Sequence, residues 1–206
     1  SWRRADLVTR IVAGTARGRR LAVPAAGTRP TSDRVRESLF STVDSALRAD
    51  GLSWPDVVVL DLFAGSGALG LEAASRGARS VTLVERSRPA SSVLAANVRA
   101  VGCDGVTVLL RDVTRLAGSP SSAAATLVLA DPPYAFRASE LAQALGRLHA
   151  AGWVADDAIV VAERPARDDE VPFPDTWPVT GRRTFGDTVL WYGRSASADG
   201  TEAEGD

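Results

Sequence analysis

The stretch Asp56–Gly70, DVVVLDLFAGSGALG, decides how the rest of the chain is read. Val57 to Leu60 is an unbroken apolar run rich in β-branched residues, the pattern of a strand buried on both faces, as in a parallel sheet. Gly65, Gly67 and Gly70 follow in the spacing G-x-G-x-x-G and open a helix. That arrangement brings a helix N-terminus against a ligand. Asp61 ends the strand, four residues before the first glycine. A carboxylate there repels a pyrophosphate but suits a cationic ligand. A nicotinamide site is therefore the weaker reading.

Strands and helices alternate outward from this point. Strands are read at 80–85, 105–110, 126–130 and 157–164, and helices at 67–77, 87–101 and 138–150. Residues 178–194 read as a closing antiparallel hairpin. A helix from a cap at Thr31, Ser32 or Asp33 to about Arg48 precedes the first strand, with Val35, Leu39, Val43, Ala46 and Leu47 on one face. The order predicts an α/β fold: a doubly wound, mostly parallel, seven-stranded Rossmann-like sheet that binds ligands at the carboxyl ends of its strands. Ahead of it, residues 1–30 read as a small basic extension built on a β-hairpin. Residues 31–194 form the main domain, and residues 195–206 an acidic, disordered tail.

Four acids fall at the exits of four successive strands: Asp61, Glu85, Asp112 and Asp131. Glu85 lies 24 residues after Asp61, where an acid accepts hydrogen bonds from two ribose hydroxyls. Asp112 is placed to accept from an exocyclic adenine amine. Asp131 opens Asp131-Pro132-Pro133-Tyr134, in which two prolines fix two φ angles and remove two donors. The result is a stiff corner holding a carboxylate, free carbonyls and an aromatic ring.

Charge adds a second signal. The net charge of −1 hides a leader, residues 1–36, with nine arginines against two aspartates, a formal +7. Every one of the 24 basic residues is Arg. Such a basic end suggests a polyanion partner. One cysteine, Cys103, and one histidine, His149, exclude a disulfide framework and a multi-histidine metal centre. Cys103 reads as a small buried or loop residue, and His149 as an unpartnered residue at a helix C-terminus. With no secretory signal read at the start of the chain, a cytoplasmic monomer is expected.

DLFAGSGALG, the acid in LVERS, RDV and DPPY resemble the motifs of class I S-adenosylmethionine-dependent methyltransferases. The leader RIVAGTARGRRLAVP, with TRPTSDRVRESLFS and GWVADDAIVVAER, resembles the RsmD family of small-subunit rRNA guanine-N2 methyltransferases. The likeness covers residues 9–194. It implies S-adenosylmethionine as cofactor and 16S rRNA, free or in the small subunit, as partner. It implies that Gly65 and Gly67 pass under the methionine part, with Phe63 and Ala64 also on the cofactor and Asp61 near the ammonium or a bridging water. Glu85 holds the ribose, Asp112 and Val113 border the adenine, and Arg86 flanks it. Thr31 and Arg34 line the pocket from the segment before the first strand.

In this reading the proline corner is an amine clamp. Asp131 and the Pro132 carbonyl accept the protons of an exocyclic amine, Pro133 stiffens the corner, and Tyr134 stacks on a base taken out of its helix. One carboxylate can accept both N1–H and N2–H of guanine, whereas adenine offers a donor beside an acceptor. Asp131 therefore favours guanine. Arg10, Arg17, Arg19, Arg20 and Arg29 are expected to hold RNA phosphates. Amino methylation of adenine or cytosine in DNA stays open at this point, as does a binding module without catalysis.

Overall fold

The computed structural model describes residues 9–24 and 32–197. Two short strands, β1 (Thr9–Arg10) and β2 (Arg20–Leu21), pair antiparallel in the leader. Helix α1 (Asp33–Ala49) starts at an N-cap, Ser32, whose hydroxyl accepts from the Val35 N–H. There follow β3 (Val58–Asp61), α2 (Ala68–Ser75), β4 (Ser80–Glu85), α3 (Arg88–Val101), β5 (Val106–Leu110) and α4 (Val113–Leu116). The chain continues through β6 (Ala125–Ala130), α5 (Ala138–Ala150), β7 (Val154–Pro165), β8 (Val179–Phe185) and β9 (Thr188–Arg194). The sequence reading missed α4 and cut β7 short, because an N-capped single turn and a strand with polar residues at its start carry little apolar periodicity.

The main sheet has seven strands in the order β5-β4-β3-β6-β7-β9-β8. β5, β4, β3, β6 and β7 run parallel to one another, and β9, antiparallel to β7, and β8, antiparallel to β9, close the sheet. β3 is central: the chain runs outward to β4 and β5, then returns to β6 on the other side. That reversal opens a crevice at the carboxyl ends of β3 and β6. Alternate residues of each strand feed two cores. Val59, Leu127, Leu129 and Val161 pack under α1, α2 and α3. Leu60, Val128 and Val160 pack with α5, Trp153, Phe173 and Trp177 on the other face.

The leader is sealed onto α1, α2 and α3. Ile11 and Leu21 are buried in the first core. Glu72, fully buried in α2, accepts from the N–H groups of Val12 (2.7 Å) and Ala13 (2.9 Å) and from Arg76 (3.1 Å). Ser75 accepts the Ala16 N–H and donates to the Ala13 carbonyl. A Cβ on Gly14, which has φ +82°, would meet the Ser75 carbonyl oxygen at 1.9 Å, so only glycine fits. Arg36 is buried, with its guanidinium on the Thr9 hydroxyl, the Arg10 carbonyl and Asp33. It is one of the arginines counted toward the basic leader, but it serves as an internal strut.

Two further residues differ from the sequence reading. His149 has a partner: its Nε2 lies 2.8 Å from Asp156 Oδ1, and the ring meets Trp177 edge-on. Ser195 is not tail. It is buried, accepts from the Ala158 N–H and donates to the Ala155 carbonyl, so the ordered fold passes 194. Among the described residues no helix is long and apolar enough to cross a membrane.

Replacing Glu72 by Ala leaves two leader N–H groups without their acceptor and removes one of the two carboxylates that hold Arg76, which keeps Asp44, at a cost of about 2–4 kcal/mol. Thermal unfolding of Glu72→Ala should show that loss. Limited proteolysis should cut the variant within residues 9–24 before the rest of the chain. A leader as protease-resistant as in the wild type would contradict this account.

Candidate functional site

The glycine loop, residues 62–67, is fixed from both sides. The Leu62 N–H donates to the Leu129 carbonyl of β6, and the Ala64 N–H to the Val84 carbonyl of β4. Gly65 N–H donates to Glu85 Oε2 at 3.0 Å. Gly65 and Gly67 both adopt positive φ. Gly70 serves close packing: a Cβ there would fall 2.2 Å from Leu83 Cδ2 and 3.1 Å from Asp61 Oδ2. Its N–H donates to that same Oδ2 at 3.0 Å.

The loop borders a cleft of about 490 Å³, a size suited to one small cofactor or substrate. All four strand-end acids line it. Asp61 is the deepest, 1% exposed. Its Oδ1 is buried without a hydrogen-bond partner. Burial pushes its carboxyl up to about 7, against the backbone N–H groups of Gly70 and Phe63, which lower it, while Glu85 adds to the rise. Glu85 is held at both oxygens, by the N–H groups of Gly65 and Ser87. Each oxygen keeps a lone pair for a further donor. Asp112 caps α4 through Oδ1, which accepts the Thr114 N–H and hydroxyl. Those bonds, the hydroxyl first, hold its carboxyl below the usual range, and Arg86 and Arg115 act in the same direction.

The other sequence candidates divide. Phe63, Ala64, Gly65, Arg86 and Val113 line the cleft, as do Asp131 and Pro133 of the proline corner. Gly67 does not: it is the left-handed N-cap of α2, packed against Leu71 and Leu94. Pro132 is buried behind the wall. Tyr134 stands outside the cleft, 57% exposed. Arg34 is on the exposed face of α1 and reaches no part of the cleft. Thr31 and Arg29 lie outside the described residues.

Arg10 and Arg20 are paired across β1 and β2, and Arg17 and Arg19 sit in the turn between them. Arg10, Arg17, Arg19 and Arg20 are exposed, and Arg10 is paired with Asp33 at 3.0 Å. The turn that carries Arg17 packs on Ser75, at the opposite end of α2 from the glycine loop.

Several cleft residues escaped the sequence reading. Phe136 is one: it packs edge-to-face on Phe63, which the sequence reading names, with centroids 5.2 Å apart. Glu140 of α5 contributes a fifth acid, and Val23 and Pro24 of the leader complete a wall. Asn97, buried in α3, holds that wall to the loop. Its Nδ2 donates to the carbonyls of Ala22 (2.8 Å) and Ser66 (2.7 Å), and its Oδ1 accepts the Ala22 N–H. Asn97 shares the inward stripe of Leu94 and Val101, and a polar residue in such a stripe signals a buried partner. Together these groups form an acid-rimmed, partly apolar cleft. It suits a ligand with a cationic end, hydroxyls and a flat ring, and Asp131 stands at its mouth.

Residues 9–194 match the family described as Conserved hypothetical protein 95. The chain is 35% identical over 200 residues to the ribosomal RNA small subunit methyltransferase D of Escherichia coli K12, with 92% of each chain covered. It is 32% identical over 181 residues to the Haemophilus influenzae protein of the same name, covering 86% of this chain and 89% of that one. The solved structure of yhhF from Escherichia coli superposes with a TM-score of 0.78 at 31% identity, covering 92% of this chain and 99% of that one. An RNA methyltransferase from Salinibacter ruber, solved with S-adenosyl-L-homocysteine, shares the fold at TM-score 0.58 and 17% identity, covering 86% and 97%. The sheet is that of the class I methyltransferases.

The raised Asp61 carboxyl gives a signed prediction. Its folded value of about 7 exceeds the ordinary 3.8, so the folded state binds the extra proton between those values. The contribution of Asp61 to stability therefore falls as pH rises from about 4 to about 7. In the absence of ligand, Asp61→Asn should melt above the wild type at pH 8, with the gap narrowing toward pH 5. Equal melting curves for the two proteins across that range would show that Asp61 carries no such burden.

Proposed function

The chain belongs to the Conserved hypothetical protein 95 family, and we propose that it transfers a methyl group from S-adenosylmethionine to the N2 amine of a guanine in 16S rRNA of the small subunit. It is a methyltransferase that acts on RNA. The observation that carries the guanine-N2 reading is the placement of Asp131. β3 and β6 are hydrogen-bonded neighbours with Asp61 opposite Leu129, so the Asp131 corner opens onto the same cleft as the glycine loop.

The residues present fit the cofactor. Asp61 offers a buried carboxylate oxygen that lacks a donor, which an ammonium supplies. Glu85, preset by two backbone N–H groups, accepts from ribose hydroxyls with its remaining lone pairs. Phe63, Ala64 and Gly65 line the part of the cleft that would take the methionine end, and Val113 and Arg86, beside Asp112, would border the adenine edge. When bound, S-adenosylmethionine supplies an electrophilic methyl group.

The protein's share is then orientation, which can be worth several kcal/mol in an in-line displacement. A guanine amine is a weak nucleophile because its lone pair is delocalised into the ring. Asp131 accepts hydrogen bonds from the Watson–Crick edge of guanine, and Pro132, buried behind the wall, keeps the corner rigid. The exposed Tyr134 ring offers a surface on which the extruded base stacks. Phe63 and Phe136 form an aromatic wall of the same cleft. The exposed arginines of the leader hold RNA phosphates, which position without reading sequence. The enzyme works as a monomer in the cytoplasm, where small subunits are assembled.

The test is transfer of labelled methyl from S-adenosylmethionine to small subunits that lack the modification, to naked 16S rRNA and to duplex DNA, followed by nucleoside digestion. N2-methylguanosine from either RNA substrate supports the reading, and methyladenine or methylcytosine in DNA refutes it. Asp131→Ala should lower turnover about 10²-fold or more, with cofactor affinity unchanged. Undiminished turnover in that variant would remove the amine clamp from the mechanism.

A further inference from the structure

The carboxyl rim of the sheet carries a second, shallow concavity where β4 and β5 end. Half of its lining is arginine: Arg86, Arg88, Arg111 and Arg115 surround Leu110 and Asp112. Four guanidinium groups thus face one carboxylate. Arg86 lies 3.8 Å from that carboxylate, which is already engaged in capping α4. Leu110, 43% exposed, ends the edge strand β5 and gives the basic ring an apolar floor.

These arginines do little for the fold. Arg88 is the first residue of α3, where the helix dipole disfavours a cation and favours an anion. Arg88, Arg111 and Arg115 are all exposed. An unbalanced cluster of this kind, open to solvent beside an apolar floor, matches the chemistry of a polyanion whose backbone is charged and whose bases are flat and apolar.

We propose that this concavity binds the phosphate backbone of the substrate RNA beside the target nucleotide. The proposal rests on the RNA methyltransferase reading and extends it to a second contact surface, distinct from the leader. Arg86, Arg111 and Asp112 also line the cleft, so the patch and the active site form one continuous surface. β4 and β5 stand two and three strands from β6, which is about 10–15 Å at the usual strand spacing. A few nucleotides of backbone cover that span. The patch shares the end of the sheet that carries Asp131, whereas the leader turn with Arg17 lies at the other end of α2. Phosphates on the patch fix the strand, and the corner receives the base.

The experiment uses the full chain and the double substitution Arg88→Glu with Arg115→Glu. Both residues lie outside the cleft, and an acid at the first position of α3 suits the helix dipole, so folding is preserved. Three quantities are compared with the wild type: S-adenosylmethionine affinity by calorimetry, 16S rRNA affinity as a function of salt, and the kinetics of methyl transfer to RNA. Cofactor affinity should be unchanged. RNA binding should weaken, with the slope of log K against log salt shallower by about 1.5, as expected for two lost phosphate contacts. KM for RNA should rise while kcat at saturating RNA holds. RNA affinity and salt slope equal to the wild type overturn the proposal and leave the function standing. A wild-type chain that methylates no RNA overturns the function, and the proposal with it.

Discussion

The hydrogen bond from the Gly70 N–H to Asp61 Oδ2 is the constraint on which the site depends. It ties the end of the central strand to the first turn of α2, and it forms only because position 70 has no side chain. The bond holds one carboxylate oxygen and leaves the other buried without a donor at the floor of the cleft. A carboxylate so placed costs stability at neutral pH, which is the kind of strain a fold retains for a ligand of opposite charge. Once α2 is fixed there, the glycine loop has a single path. Glu85, Asn97 and the two flanking strands then clamp its backbone.

The same helix anchors the leader. Glu72 and Ser75 of α2 bind the leader backbone, and Asn97 of α3 bonds at once to Ala22 and to Ser66 of the glycine loop. Val23 and Pro24 follow directly and form a wall of the cleft. The leader is thus a structural part of the active site as well as a carrier of charge. Its arginines accordingly do different jobs: Arg36 is an internal strut, Arg10 is paired with Asp33, and Arg17, Arg19 and Arg20 face solvent. A formal charge count treats all of them as equivalent, and burial separates them.

The four strand-end acids show a similar division of labour. Each was legible as an acid at the exit of a parallel strand, and each lines the cleft. Their electrostatic states differ because their surroundings do. Asp61 is desolvated and raised, whereas Asp112 is hydrogen-bonded by Thr114 and lowered. Glu85 is committed to orienting the loop that it borders. Sequence position alone carries none of these distinctions, since they depend on groups brought in from other strands and helices.

The chain's own sequence determined the fold class, the glycine loop, the proline corner and the strand-end acids. Those features are local: apolar period, β-branched runs, and glycine and proline chemistry act over a few residues. Only the tertiary structure decided that Gly67 packs α2 while Gly65 lines the cleft, that Arg36 and Asn97 are internal, and that Phe136, Glu140 and Pro24 complete the walls. It also decided that Arg86 and Arg88 from the β4–α3 junction and Arg111 and Arg115 from the β5–α4 junction share one concavity. Each of these depends on which segments the parallel crossovers bring together, over separations such as the 75 residues between Ala22 and Asn97. A short-range pattern cannot encode a meeting between residues that distant, because the partner is set by how the sheet and its helices pack as a whole.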